Sequence, residues 1–389
     1  MVLFAIAELL LRSLGTASPA FARFVFLQEM SNERWDYLLD QERETMLSSL
    51  QEERIPTRHP NEEFTEEPEL DRPPYDRLGV EFHVKKNAHG FRDPPFRPTR
   101  APGRRRVLLL GDSIAYGKGL EPSQRLGDVW AALEPRLEVL NLAHPACGTV
   151  CQRTILEEFA DFQADLVVIQ PSGNDVDTTM GRAAAAALDS PLAAVVRLVM
   201  RSRVMQAVAY GLWGTAKAQQ LDAALSATAE AYAPELERLF ATCRRIGAQA
   251  VVIAFPGSNA VWYATHVADA CRRHPEVCLG SVEVALEAPE QWLPDWPRSA
   301  EARDPGPPAW IRETAEGMDL SPTSLAEVFP LWRLFLDIVH PNALAHRVAA
   351  LQLQDLLRRT GAVTPPPPAP PPPTSATPTP TPRPARPLP

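Results

Sequence analysis

Short, mainly apolar runs of strand length recur along the middle of the chain, and most are followed directly by a polar residue, a glycine or a proline. Four of them are clear, at residues 106–110, 137–141, 166–169 and 248–255. Stretches with apolar residues at helical spacing follow, most visibly at 234–246 and 342–358. Uninterrupted apolar strands are typical of a sheet covered on both faces, and their alternation with helices indicates right-handed crossovers between parallel strands.

This alternation predicts the α/β class. We expect a three-layer α/β/α sandwich built on a flavodoxin-like parallel sheet of about five strands. The fifth strand is the least visible in the pattern. Residues 334–337 are its candidate, although they are equally compatible with a loop or the end of a helix.

Two segments interrupt the alternation. Residues 181–232 are rich in alanine and predict an inserted helical pair, either a lid over the carboxyl edge of the sheet or, as we favour, ordinary packing helices. Residues 257–331 contain many prolines and predict an irregular insert close to the same edge. Tryptophans in this second segment would either stack on sugar rings or anchor the loop. The apolar residues concerned are Met200, Met205 and Trp213 in the first insert and Trp262, Trp292, Trp296 and Trp310 in the second.

Composition divides the rest of the chain. Residues 1–30 are a short apolar segment, and residues 31–86 combine an amphipathic helix at 31–53 with an acidic linker. Residues 87–361 hold the alternating pattern and predict one large α/β domain. Residues 362–389 are dominated by proline, threonine and alanine, a composition that favours polyproline II and predicts a disordered tail.

Net charge and cysteine content bear on three possibilities, which are nucleic-acid binding, disulfide formation and metal binding. The 389 residues carry a formal net charge of −9 and no long basic stripe, which argues against nucleic acid as a partner. Cys271 and Cys278 are a candidate disulfide, and Cys147 and Cys151 flank a loop after the second strand. An odd count of five leaves a free thiol or an intermolecular bond. Because the cysteines form no paired ligand knuckles and the histidines are scattered, we predict no metal site. No cofactor is predicted either.

Residues with catalytic chemistry follow three of the strands, at the edge where ligands bind in open α/β sheets. Ser113 ends the Gly-Asp-Ser segment after the first strand and offers a hydroxyl. Far along the chain, Asp337 lies three residues before His340, so its carboxylate can orient the imidazole that a serine nucleophile needs as base. Small and amide residues at 144–149 and 172–175 suit an oxyanion hole.

Each motif alone also has a structural interpretation. Gly-Asp-Ser can be a helix-capping turn, residues 174–175 a turn pair, and residues 337–341 a surface turn before a helix. Their joint order after strands favours a common active site. Ala115 replaces the second glycine of the G-x-S-x-G nucleophile elbow, so an α/β-hydrolase is not the preferred interpretation.

Together the segments resemble the SGNH/GDSL hydrolase superfamily, whose four sequence blocks occur in the same order within residues 87–358. The lead-in Asn-x-x-Gly-Phe-Arg at residues 87–92 is similar to a bacterial branch of that superfamily. The resemblance implies the SGNH hydrolase fold for residues 87–361. It also implies that Ser113 is the nucleophile, His340 the general base and Asp337 its orienter.

The same resemblance implies an oxyanion hole formed by Asn174 and two backbone N–H groups. One belongs to Ser113, and the other to Ala146, which stands where the family has glycine, or to Gly148 as the alternative. An alanine donates its N–H normally at negative φ, whereas a site that needs positive φ penalises its Cβ. The residues implied in supporting positions are Asp112 and Gly173.

The implied activity is that of a serine esterase or deacetylase that cleaves an acyl ester of a small molecule or a carbohydrate. One alternative is an O-acyltransferase of cell-envelope polysaccharide that uses the same triad. Another is a non-catalytic carbohydrate-binding module on a decayed SGNH fold. The sequence leaves the oligomeric state open.

The apolar start leaves the compartment ambiguous. Residues 2–11 are too short to span a bilayer, contain Glu8 and lack a positive flank, so they make a poor signal peptide. The superfamily resemblance suggests instead the remnant of a longer anchor. We therefore favour a cell-envelope or exported location over the cytoplasm, compatible with membrane association through the N-terminus.

Overall fold

The structure is a computed structural model. It describes residues 57–66, 80–171, 173–175, 201–256, 261–295, 307–318, 320–328, 331–337 and 339–362, with residues 7, 10, 11 and 25. The helix expected at 31–53, most of the first 30 residues, the part of the helical insert before residue 201 and the tail from residue 363 lie outside these ranges.

Seven strands and eight helices belong to the described residues, with 3₁₀ turns at Pro122–Gln124, Pro289–Gln291 and Trp332–Leu334. The strands are β1 (Glu63–Glu66), β2 (Phe82–Lys85), β3 (Arg105–Leu110), β4 (Leu137–Asn141), β5 (Leu166–Ile169), β6 (Gln249–Ala254) and β7 (Cys278–Glu283). The helices are α1 (Ser113–Tyr116), α2 (Leu126–Leu133), α3 (Thr149–Glu158), α4 (Arg203–Ile246), α5 (Val261–Arg273), α6 (Ala309–Gly317), α7 (Pro322–Val328) and α8 (Ala343–Arg359).

Five of the strands form a parallel sheet in the order β4-β3-β5-β6-β7. In chain order this is the 2-1-3-4-5 arrangement of flavodoxin-like folds, so the predicted fold class is confirmed. The strand order reverses between β3 and β5. Ligands bind at such a reversal, beyond the carboxyl ends of the strands.

Helices cover both faces of the sheet. Val107 and Leu109 of β3 point into a core with α2 and α8. Leu108 and Leu110 point into a second core with α3, α4 and α5. Because alternate residues of one strand enter opposite cores, the last four residues of β3, Val107–Leu110, are all apolar, which is the pattern that made the strand visible in the sequence.

Residues 334–337 are not the fifth strand, and the alternative of a loop or the end of a helix is the correct one for them. Residues 332–334 form a 3₁₀ turn, and Phe335 makes only an isolated bridge with Pro341. The fifth strand is β7, inside the segment 257–331 that we expected to be irregular and that also holds α5, α6 and α7. β7 is an edge strand that alternates buried and exposed residues only in part, and therefore lacks a continuous apolar run.

Part of the acidic linker also proved to be ordered structure. β1 pairs antiparallel with β2, and Glu63 lies opposite Lys85 of the partner strand. Glu63 binds Lys85 at 2.7 Å, and Glu62 binds Lys86 at 2.6 Å. Cross-strand pairs of opposite charge stabilise a hairpin, which a count of acidic residues along one segment does not reveal.

One long helix, α4, replaces the separate elements expected around residue 232. It runs without a break from Arg203 to Ile246 and has Pro234 inside it. A proline removes one backbone hydrogen bond and usually marks a helix start, which is why the sequence indicated a boundary there. No helix within the described ranges combines the length and apolar character that crossing a membrane requires.

Two disulfides are present in the described residues, one between a loop and α3 and one between α5 and β7. Cys147 bonds Cys151 with a sequence separation of 4, and Cys271 bonds Cys278 with a separation of 7. Closing loops of this size is worth about 2 kcal/mol each in the chain-entropy description. Cys243 is a buried free thiol.

His346 on α8 joins this helix to the start of α2. Its Nδ1 accepts the N–H of Leu126 at 3.0 Å, which satisfies a donor in the first turn of α2. Burial is the main cause that lowers the pKa of His346 from 6.5 to about 3, and the charges of Arg125 and His340 add to it. The folded protein therefore keeps this imidazole neutral.

We expect this histidine to make the protein acid-sensitive. Between the two pKa values the unfolded chain binds a proton that the folded chain refuses, so the free energy of unfolding falls as pH falls, by about 1.4 kcal/mol per pH unit. His346→Gln keeps an acceptor for the N–H of Leu126. Between about pH 7.5 and about pH 4.5, its free energy of unfolding should fall by about 2–3 kcal/mol less than that of the parent. Urea unfolding of both chains at the two pH values measures this. Equal losses would contradict the assignment.

Candidate active site

Ser113 lies where β3 turns sharply into α1. Gly111 follows the last strand residue, and a Cβ at this position would lie 2.6 Å from Oε1 of Gln170 and 2.5 Å from Cβ of Ala115. Only glycine lets the chain pass this close to its neighbours. The turn makes Ser113 the first residue of α1, at the carboxyl edge of the sheet.

Asp112 fixes the turn on both sides. Its Oδ1 accepts the N–H of Ile114 at 2.9 Å, and its own N–H donates to Oε1 of Gln170 at 3.0 Å. The helix-capping interpretation of this motif is therefore correct for Asp112, and the cap is also what holds Ser113 in place. Gln170 was not singled out in the sequence.

A short loop before α8 carries Asp337 and His340. Oδ1 of Asp337 accepts the N–H groups of Val339 and His340, both at 2.7 Å. Its Oδ2 lies 2.7 Å from Nδ1 of His340. The Asp337 side chain is fully buried, and His340 is 4 % exposed. Three hydrogen bonds within four residues thus set the orientation of the imidazole.

The hydroxyl of Ser113 meets this imidazole. Nε2 of His340 lies 3.0 Å from Oγ of Ser113. Because a carboxylate only accepts, Nδ1 of His340 carries a proton for Asp337 and Nε2 is left to accept from the serine hydroxyl. The structure thus brings together residues that are more than two hundred positions apart, in an arrangement that can activate a hydroxyl.

Asn174 approaches the same turn from the end of β5. Residues 173–175 are helical, and Gly173 and Asn174 are partly exposed. Nδ2 of Asn174 donates to Oδ2 of Asp112 at 3.4 Å, so the amide lies beside the segment that carries Ser113.

Ala146 occupies a strained position. The N–H of Cys147 donates to the carbonyl of His144 at 3.1 Å, which closes a β-turn with Pro145 and Ala146 at its centre. The φ of Ala146 is 62°. Because proline holds a negative φ, a positive φ at the next residue identifies a type II turn. Of the two φ values considered for Ala146 above, this is the positive one, which is unfavourable for a residue with a Cβ. The left-handed conformation costs an alanine about 1–2 kcal/mol.

Gly148 has a different reason to be glycine. It is the N-cap of α3, and a Cβ there would lie 2.3 Å from Oδ1 of Asp175. This carboxylate accepts the N–H of Thr149 at 2.9 Å and the Thr149 hydroxyl, which joins the start of α3 to the end of β5. The sequence presented Asp175 only as a turn residue. Its position directly after Asn174 was the one available signal.

Comparisons with known proteins identify a family. A model of the GDSL-like Lipase/Acylhydrolase family matches residues 109–348, which is more than half of the chain. Among solved structures, TesA is 14% identical with a TM-score of 0.33, and the match covers 66% of this chain and 99% of TesA. YxiM from Bacillus subtilis is 14% identical with a TM-score of 0.34, and the match covers 66% of this chain and 57% of YxiM. A variant of the esterase AlinE4 is 15% identical with a TM-score of 0.29, and the match covers 59% of this chain and 98% of AlinE4. None of the curated proteins matches the sequence.

Substitution of Gly148 tests the role of Asp175. Gly148→Ala should destabilise the fold by about 1–3 kcal/mol, because the new methyl group would displace a buried carboxylate that holds α3. Gly317→Ala is the matched control, since a Cβ there meets nothing within 4 Å and should stabilise α6 by up to about 1 kcal/mol. Urea unfolding distinguishes the two. Equal stability of Gly148→Ala and the parent would contradict the packing argument.

Proposed function

Because the chain belongs to the GDSL-like lipase/acylhydrolase family, and is therefore an ester-cleaving hydrolase, we propose that it is a serine esterase that uses Ser113, His340 and Asp337. The observation that carries this proposal is the continuous series of hydrogen bonds from a buried carboxylate through the imidazole to the serine hydroxyl, 2.7 Å and 3.0 Å long. This is the relation of nucleophile, base and orienter that serine catalysis requires.

In this mechanism Oγ of Ser113 attacks the acyl carbon while Nε2 of His340 takes its proton. The tetrahedral intermediate then expels the alcohol, which leaves with the proton from His340, and an acyl-serine ester remains. Water attacks this ester with His340 again as base. The products are a free acid and the restored serine hydroxyl.

The negative charge of the tetrahedral intermediate needs hydrogen-bond donors, and we assign them to Asn174 and the N–H groups of Ser113 and Ala146. Within the described part of the chain, the N–H groups of Ser113 and Ala146 donate to no acceptor. The N–H of His144 donates to the carbonyl of Gly111 at 3.1 Å, which ties the Ala146 turn to the strand end before Ser113. Gly148 is the weaker candidate donor, since its lack of a side chain is already explained by Asp175.

We propose a small acyl ester as the substrate class. The sugar-stacking hypothesis loses support from two of its tryptophans, because Trp292 packs against the sheet core and Trp310 against a separate apolar cluster of α6 and α7. The side chains of Trp262 and Trp296 lie outside the described set. A carbohydrate ester therefore remains a hypothesis for the product analysis below.

A fluorophosphonate trap tests the nucleophile. We expect the parent chain to gain one adduct on Ser113 by intact-mass and peptide analysis, and Ser113→Ala and His340→Ala to gain none. Hydrolysis of p-nitrophenyl acetate should fall by several orders of magnitude in both variants. Ser281→Ala is the matched control, since Ser281 is an exposed serine on the edge strand β7. An undiminished rate in Ser113→Ala would refute the mechanism.

Removal of the Asn174 amide tests the oxyanion assignment. Asn174→Ala should lower kcat by about 100- to 1000-fold and change KM much less, because the amide would act on the developing charge and not on the ground state. Steady-state kinetics on p-nitrophenyl acetate measure both constants. A change confined to KM would contradict the assignment.

Product analysis decides the fate of the acyl group. With an acetyl ester as donor and a neutral oligosaccharide as added acceptor, we expect free acetate in proportion to the alcohol released. Mass spectrometry of the oligosaccharide provides the opposite outcome, because acetylated sugar in place of acetate would make the protein an O-acyltransferase. Acid-quenched samples should in either case show a transient acetyl group on Ser113.

A further inference from the structure

The N–H of Ala146 depends on the orientation of one peptide group. In a type I turn the second residue has ψ near about −30° and the third has φ near about −90°, whereas in type II these angles are about +120° and about +80°. Conversion of one turn type into the other flips the central peptide group by about 180°. The Pro145–Ala146 peptide is this central unit, and alanine disfavours the type II form in which it is found, with φ at 62°.

The ring of His144 holds the carbonyl of that peptide. Its Nδ1 lies 2.8 Å from the oxygen of Pro145, and because a carbonyl oxygen only accepts, Nδ1 donates. The C=O and N–H of a trans peptide point in opposite directions. As long as the Pro145 oxygen stays on the His144 ring, the Ala146 N–H faces away from it.

The Cys147–Cys151 disulfide holds the end of the same turn. Cys147 is the last residue of the turn, and Cys151 lies in the first turn of α3, with 5.3 Å between their Cα atoms. Both cysteines are buried. Asp175 in turn fixes the start of α3 through Thr149, so the disulfide attaches the turn to a helix end that cannot shift freely.

We propose that the His144 ring and the Cys147–Cys151 disulfide are positioning groups, which keep the Pro145–Ala146 peptide in the orientation that presents the Ala146 N–H to the acyl oxygen. They thereby compensate for an alanine at a position that favours glycine. This inference rests on the proposed function, because it requires an oxyanion to form beside Ser113. The left-handed penalty corresponds to about a 5- to 30-fold preference for the other turn, so without these restraints only a minor fraction of molecules would present the donor.

The test compares the two disulfides of the protein. The double variant Cys147→Ala/Cys151→Ala should lower kcat on p-nitrophenyl acetate by more than about twofold and by at most about 30-fold, because His144 still restrains the peptide, with KM within about twofold of the parent. Cys271→Ala/Cys278→Ala is the matched control, because that disulfide joins the end of α5 to the edge strand β7. It should keep kcat within about twofold of the parent.

Ala146→Gly provides the rescue that separates positioning from stability. Glycine adopts the left-handed conformation without restraint, so adding Ala146→Gly to the Cys147→Ala/Cys151→Ala chain should return kcat to within about twofold of the parent. If the disulfide served stability alone, its loss would lower the unfolding midpoint and leave kcat per folded molecule unchanged, which would overturn the inference. Failure of the rescue would overturn it as well.

His144→Phe makes the same comparison with the disulfide intact, and keeps the test valid if the double variant does not fold. It should lower kcat, and Ala146→Gly should again restore it. Fluorophosphonate labelling of the parent distinguishes failure of the proposed esterase function from failure of the positioning role. Absence of an adduct on Ser113 would refute the proposed function, whereas normal labelling of the parent with unchanged kcat in every turn variant would overturn only this inference.

Discussion

Parallel pairing of β3 with β4 on one side and β5 on the other is the constraint on which the site depends. The ladders place Leu109 beside Asn141 and Leu110 beside Ile169, so all three strands end at the same level of the sheet. The segments that follow these strands carry Ser113, Ala146 and Asn174. Parallel strands need long crossovers, and these send each loop back through a helix on one face or the other. The meeting of three distant segments is therefore a consequence of strand order.

Buried carboxylates organise the segments that form the site. Asp112 caps α1, Asp175 holds the start of α3 and Asp337 orients His340, and all three are nearly inaccessible to water. A buried carboxylate is costly unless hydrogen bonds replace its hydration. Each one here accepts hydrogen bonds from backbone N–H groups. The same hydrogen bonds therefore stabilise the buried carboxylate and fix the conformation of the backbone around it.

Local strain at the edge of the sheet fits the same description. Strained backbone persists only where the surrounding structure determines it, and it is concentrated at functional sites. Ala146 has a positive φ, yet both ends of its turn are attached, through Gly111 on one side and the disulfide to α3 on the other. Gly111 and Gly148 show the opposite solution, in which the side chain is removed because a neighbouring Gln170 or Asp175 occupies its space.

The sequence by itself determined four of the five strands of the parallel sheet and the helix before the C-terminal tail, because strands covered on both faces are mainly apolar and a long amphipathic helix repeats its pattern. It also determined which residue types could do the chemistry and their order. It did not reveal β7, in which buried and exposed residues are mixed, or β1, whose Glu63 pairs with Lys85 on the neighbouring strand. Only the tertiary structure decided the roles of Gln170 and Asp175 and the sign of φ at Ala146. Each of these depends on what lies across a gap in space, and spacing along the chain does not encode that.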